Sequence, residues 1–134
     1  MPDQKPILCL DFDGVIHSYT SGWKGIDVIP DPPVDGAIEF LYEAIEHFNV
    51  CIYSTRSEAL SGNEAMREWL AKWDAAYWND HPNLARPRTA LILNIDFPSS
   101  KPSAFVGLDD RVLTFNGTFP SIKTLKNFKP WNKK

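Results

Sequence analysis

The run Ile7-Leu8-Cys9-Leu10-Asp11-Phe12-Asp13-Gly14-Val15 decides the fold. Its first four residues are apolar without alternation, the pattern of a short strand buried on both faces of a parallel sheet. The strand ends on a carboxylate. Open parallel sheets bind ligands beyond the carboxyl ends of their strands, so Asp11 and Asp13 stand where chemistry is done. Gly14 permits a turn that bulkier residues would resist.

Outward from this strand, Val34, Ala37, Ile38, Leu41, Ile45 and Phe48 recur at helical spacing, with Glu39, Glu43 and Glu46 on the opposite face. Val50 to Tyr53 repeats the buried-strand pattern and stops at Ser54. A second helix is expected near Ser61, which forms a capping-box signature with Glu64, and Met66, Trp69, Leu70 and Trp73 supply its core stripe. Turn formers from Asn79 to Asn83 make Ala75 to Arg88 read as irregular. Leu91 to Ile95 and Ala104 to Leu108 read as further strands, the second followed by Asp109-Asp110, and Val112 to Phe115 reads as a last short one. Alternating strand and helix predict one α/β domain over residues 1–134, a three-layer sandwich with a mostly parallel, Rossmann-like sheet.

A chain of 134 residues with 43% hydrophobic content suits a single core. The net charge of -3 gives no general attraction to nucleic acid or anionic membrane. The tail, residues 121–134, carries Lys123, Lys126, Lys129, Lys133 and Lys134 and no acid. It reads as a solvated segment, with polyanion docking as the sharper alternative. Met1 to Lys5 is polar and resembles neither a signal peptide nor a membrane span. Cys9 and Cys51 lie in buried-strand patterns and are expected as reduced core thiols, which fits a cytoplasmic setting. His17 and His81 lack zinc-ligand spacing with either cysteine, and His17 reads as packing within its loop.

Asp11, Asp13, Asp109 and Asp110 bring four carboxylates to one end of the sheet. Such a cluster repels itself unless a cation sits among the groups, and an all-oxygen set with room for waters suits Mg²⁺. The cation would also screen a phosphate dianion from an attacking carboxylate.

In this order, Asp11-Phe12-Asp13-Gly14-Val15, Ser54-Thr55-Arg56, Lys101 and Asp109-Asp110-Arg111, the residues resemble the four motifs of the haloacid dehalogenase-like (HAD) phosphatases. The likeness runs over about residues 7 to 115 and is greatest to the small capless bacterial and phage type, with some similarity to polynucleotide 3'-phosphatase domains. It implies a Mg²⁺-dependent phosphohydrolase in which Asp11 is the nucleophile forming an aspartyl-phosphate. Asp13 would protonate the leaving oxygen and then activate water, Ser54 would hydrogen-bond the phosphoryl group, and Lys101 would neutralise charge on Asp11 and phosphate. Asp11, the Asp13 backbone carbonyl, Asp109 and Asp110 would hold the metal. Thr55 departs from the glycine that many relatives carry there.

The resemblance also makes residues 15–33 a short flap. There Trp23 or Tyr19 would shield the site or stack on substrate, while Arg56 would reach the substrate phosphate or pair with an acid. Arg111 is expected to brace the acidic pair, and Trp131 to pin the tail. With no insertion long enough for a cap, the site should be open to a small phosphate ester or a nucleic-acid end, unless a second copy roofs it. Rival readings are a receiver-type signalling domain, whose motif order is the reverse, a catalytically idle binding protein, and a phosphotransferase.

Overall fold

The computed structural model describes residues 5–86 and 88–133. Four parallel strands form the sheet: β1 (Ile7–Leu10), β2 (Asn49–Ile52), β3 (Ile95–Asp96) and β4 (Val106–Leu108), in the order β3-β2-β1-β4. The central pair aligns Leu8 with Val50 and Leu10 with Ile52, and β4 aligns Val106 with Leu8 and Leu108 with Leu10. Four of the five expected strand regions are used, although β3 contains only the end of the expected Leu91 to Ile95 run.

Two helices supply the crossovers. α1 (Ala37–His47) joins β1 to β2 and α2 (Leu60–Asp80) joins β2 to β3. Because right-handed crossovers advancing in one direction fall on one face of a sheet, α1 and α2 share a face, and they touch each other. The return from β3 to β4 crosses β2 and β1 and starts against α2, where Asn63 Nδ2 donates to Phe97 O at 3.2 Å. Lys101, on that return, is close enough to Cys9 to depress its thiol titration against the larger opposing effect of burial. The product is a layered α/β arrangement, broadly Rossmann-like.

The core is the space between the helices and the Leu8, Leu10, Val50 and Ile52 face. Ile38, Leu41, Met66, Trp69, Leu70 and Trp78 fill it from the helices. Two cysteines pair in register across β1 and β2 as free thiols, Cys51 buried and Cys9 half-buried. Burial and the neighbouring Cys9 push the Cys51 thiol up to about 12.

Several local expectations are corrected. α2 begins at Leu60 without a side-chain cap, so Ser61 and Glu64 do not form its capping box. The reciprocal cap lies six residues earlier, where Ser54 Oγ accepts from Arg56 N–H at 2.9 Å and Ser57 Oγ accepts from Ser54 N–H at 3.0 Å. This cap starts a single 3-10 turn, Thr55–Glu58.

Ala75 to Asp80, expected to be irregular, continues α2. Trp78 lies two turns beyond Leu70 on the buried stripe, and Pro82 forbids much further extension. Leu91–Leu93 is a 3-10 turn rather than strand. Asp74 explains this, since its buried carboxylate accepts from Leu91 N–H at 3.0 Å and from the Tyr42 hydroxyl, bending the chain onto α2 before it enters the sheet. Val112 to Phe115 forms no strand, which leaves β4 as an edge with all three residues exposed. The tail carries a five-residue helix, α3 (Ile122–Lys126), and returns to the sheet's carboxyl end, where Trp131 Nε1 donates to the Gly14 carbonyl at 2.8 Å.

Candidate functional site

The ladder sets the site. One residue past each strand, Asp11 N–H donates to Leu108 O and Tyr53 N–H to Leu10 O, both at 3.0 Å. These bonds hold Asp11 beside the start of the Asp109-Asp110 pair and bring Ser54 to the same end of the sheet. One carboxylate oxygen from each of Asp11, Asp109 and Asp110 then lies within 4.8 Å of the other two.

The loop after Asp11 is wound tightly. Phe12 O accepts from the N–H groups of Val15, Ile16 and His17 at 3.2, 2.9 and 3.0 Å, and Gly14 N–H donates to His17 O at 2.8 Å. Gly14 has φ +86°, and a Cβ built there would lie 2.2 Å from Asp110 Oδ2. The Asp110 carboxylate therefore rests directly on the glycine backbone. Its other oxygen, Oδ1, is buried and has no hydrogen-bond partner among the described residues.

Burial, repulsion from Asp109 and a hydrogen bond shared with Asp110 push the Asp11 carboxyl up to about 8. Without a cation, a proton does the work of keeping these carboxylates together. The donor set fits a divalent ion: three hard oxygens converge, and Asp110 also carries a buried oxygen with no partner among the described residues. Asp11, Asp109 and Asp110 could hold it.

The carboxylate of Asp13 has partners of its own. Asp13 Oδ1 receives His17 Nδ1 at 2.8 Å, and both its oxygens receive Arg56 Nε, at 3.2 and 3.0 Å. His17 is wholly buried and its Nε2 accepts from Asp31 N–H at 3.1 Å, so the ring proton belongs on Nδ1, facing Asp13. Phe12 stacks on the ring at 5.6 Å and Trp69 meets it edge-on. Asp31 is fixed in turn, its carboxylate accepting from Ser21 N–H and Oγ at 2.7 and 2.6 Å. Although burial opposes it, these Ser21 donors hold the Asp31 carboxyl below its usual range.

Arg56 is also fully buried, and its Nη1 donates to the carbonyls of Gly25, Ile26 and Val28 at 2.8, 2.9 and 3.3 Å. The Trp23 ring covers the guanidinium at 4.7 Å. Of the Arg56 donors, Nε is engaged by Asp13 and Nη1 by the flap, whereas Nη2 is buried and has no hydrogen-bond partner among the described residues.

A small cavity of about 190 Å³ opens between Asp11, Asp13, Tyr19, Trp23, Thr55 and Arg111. It unites the first motif with the flap aromatics. Tyr19 adopts φ 63°, a left-handed conformation unusual for a tyrosine, and burial, with Asp13 nearby, raises its hydroxyl titration.

Ser54 is buried at the rim of this region, its hydroxyl engaged as the cap of the following turn and 3.6 Å from Met66 sulfur. Lys101 is not drawn in. It is exposed, and the ion pairs of the described residues are made by His17, Arg56 and Arg86. Arg111 braces the pair through its backbone, whose N–H donates to Asp109 Oδ1 at 2.8 Å, while the residue lines the cavity.

Sequence reasoning underrated His17, taken as a packing residue. Its position four residues after Asp13, in a loop already marked as chemical, was the available signal. Compared with known proteins, the chain matches no family model, no curated protein and no solved structure.

Proposed function

We propose that the chain is a Mg²⁺-dependent phosphohydrolase of the HAD-like kind, acting on a phosphate monoester through an aspartyl-phosphate. The observation that carries this reading is the division of labour among the aspartates. Asp11 belongs to a three-carboxylate cluster with Asp109 and Asp110, while Asp13, two residues on, lines the same cavity as Asp11 and is held by His17 and Arg56. A cation in the cluster would supply charge neutralisation for an incoming phosphate dianion.

Asp11 attacks phosphorus, the bond to the ester oxygen breaks, and that oxygen takes a proton from Asp13. Asp13 then removes a proton from water, which attacks the same phosphorus and releases Asp11 with inorganic phosphate. His17 Nδ1 and Arg56 Nε fix the Asp13 carboxyl so that one orientation serves both steps. Arg56 also ties that carboxyl to the flap carbonyls, and Trp23 and Tyr19 form the apolar wall that limits water around it.

The test is Mg²⁺-dependent phosphate release from an aryl phosphate by the wild-type protein and by Asp11→Asn. Activity that needs the metal and disappears in the variant is expected. The exposed Lys101, with no acid paired to it, favours a second reading, a catalytically idle binding protein. A metal-loaded wild type that turns over no phosphate ester would select it.

A further inference from the structure

The segment after β4 holds a groove of about 910 Å³. Val112, Leu113, Phe115, Phe119, Leu125 and Phe128 form most of its wall. These are not residues a solvated tail requires. Phe119 is 85% exposed and Phe115 58%, and their rings lie 5.0 Å apart with a 46° tilt, forming an open aromatic surface. Apolar patches of this extent on a small protein mark sites of interaction.

Position says what the groove faces. Arg111 lines both this groove and the small cavity that contains Asp11 and Asp13. The two spaces thus share Arg111 as a common wall residue. The small cavity, about 190 Å³, accommodates a phosphoryl group and little else, so whatever is esterified to the phosphate must leave it. The groove has the size and lining of a small-molecule site, predominantly apolar with a few polar groups such as Thr114 and Asn116. From Arg111 to Lys133 the chain has five cations and no acid, so this side of the site does not repel a phosphate ester.

We propose that the groove receives the alcohol portion of the substrate, and that this portion is a flat aromatic body resting on Phe115 and Phe119, with Arg111 at the junction near the phosphoryl group. The inference rests on the phosphohydrolase reading for the group that reacts. It adds the class of substrate: a small aromatic phosphate monoester rather than a sugar or short alkyl phosphate.

The test compares 2-phenylethyl phosphate with ethyl phosphate, whose leaving alcohols are alike in acidity, so that recognition and not leaving-group strength is read. For the Mg²⁺-loaded wild type, kcat/KM for the aromatic ester should exceed that for the alkyl ester by about tenfold. Phe119→Ala and Phe115→Ala should each shrink that ratio by about fivefold. Both side chains are largely exposed, so the variants should fold, which circular dichroism checks.

A ratio near one in the wild type, or a ratio that neither substitution changes, overturns the proposal. So does a preference confined to phosphorylated oligonucleotides, or sedimentation showing a dimer that Phe119→Ala dissociates, because the groove would then hold a nucleic acid or a second copy. If neither ester is hydrolysed, calorimetry with 2-phenylethylphosphonate separates the two ideas. Binding that weakens in Phe119→Ala keeps the groove while the catalytic reading fails, and no binding removes the groove as well.

Discussion

Arg56 donates its Nε to both carboxylate oxygens of Asp13, at 3.0 and 3.2 Å, from a side chain that solvent does not reach. The same guanidinium holds three flap carbonyls. One residue thereby fastens residues 25–28 to the carboxylate proposed as acid and base, and the link runs from a strand end through a 3-10 turn to the site.

Removing Arg56 leaves Asp13 with His17 as its remaining side-chain partner among the described residues and strips the donor from three carbonyls. Arg56→Ala should destabilise the fold by about 3–5 kcal/mol, the range for breaking one half of a buried pair. Arg56→Lys keeps a charge but cannot reproduce the planar fork, and should recover only part of that loss. Urea unfolding of the three proteins checks both statements, and a loss below about 1 kcal/mol for Arg56→Ala would contradict the buried pairing.

Gly62, in the first turn of α2, sets where Arg56 lies. A Cβ there would fall 2.0 Å from the Arg56 carbonyl oxygen, a backbone atom that cannot step aside alone. Helix propensity by itself favours alanine over glycine by about 1 kcal/mol. The close approach reverses the sign, so Gly62→Ala should lower the melting temperature and also reduce activity by displacing the Arg56 turn. A more stable Gly62→Ala protein would show that the turn and helix are further apart.

At Gly14 the obstacle is a side chain rather than backbone. Its φ of +86° and the Asp110 oxygen 2.2 Å from the position of a Cβ mean that Gly14→Ala must shift a proposed metal ligand. The backbone penalty alone is about 1–2 kcal/mol. The distinguishing effect should be on the cation: Mg²⁺ affinity, measured by calorimetry on folded protein, falls severalfold. Gly22→Ala, also at positive φ but with nothing within 4 Å of a Cβ, should cost some stability and leave Mg²⁺ affinity intact.

Much of this was legible in the chain because short apolar runs ending in polar residues report strand termini directly. Ile7 to Leu10 and Val50 to Ile52 needed no tertiary information, and Asp11, Ser54 and Asp109-Asp110 followed from where the runs stop. The misreadings occurred where a distant partner overrode local pattern. Leu91 to Leu93 has strand composition, yet Asp74, 17 residues earlier, captures Leu91 N–H and turns the chain. Ser61 and Glu64 have the spacing of a cap, but Ser54 and Ser57 close one first. The spacing of His17 from Asp13 was legible, but its tautomer was not, because the Asp31 N–H that fixes the ring comes from 14 positions away. The exposed groove after β4 was hidden for another reason: apolar residues in sequence signal burial, and Phe115 and Phe119 are left open.

Asp11 gives the pH dependence its sign. Its folded carboxyl titrates near 8 against an ordinary value of 3.8, through burial first and Asp109 next. The unfolded chain therefore loses this proton first, and stability of the cation-free protein should fall as pH rises from about 4 to about 8. Asp31 and Glu39 are shifted downward, so their contributions are complete above their ordinary values and lost only on acidification. They do not mask the trend. A divalent cation replaces the proton that holds the cluster together, so it competes with protons for Asp11. Mg²⁺ should accordingly raise the melting temperature more at about pH 8.5 than at about pH 5.5, and Asp11→Asn, which has no carboxyl to titrate, should both flatten the cation-free profile and shrink the Mg²⁺ shift. Thermal unfolding with and without Mg²⁺ at the two pH values reads all of this. Equal Mg²⁺ shifts at both would mean that the ion binds without displacing a proton, and that Asp11 is not among its ligands.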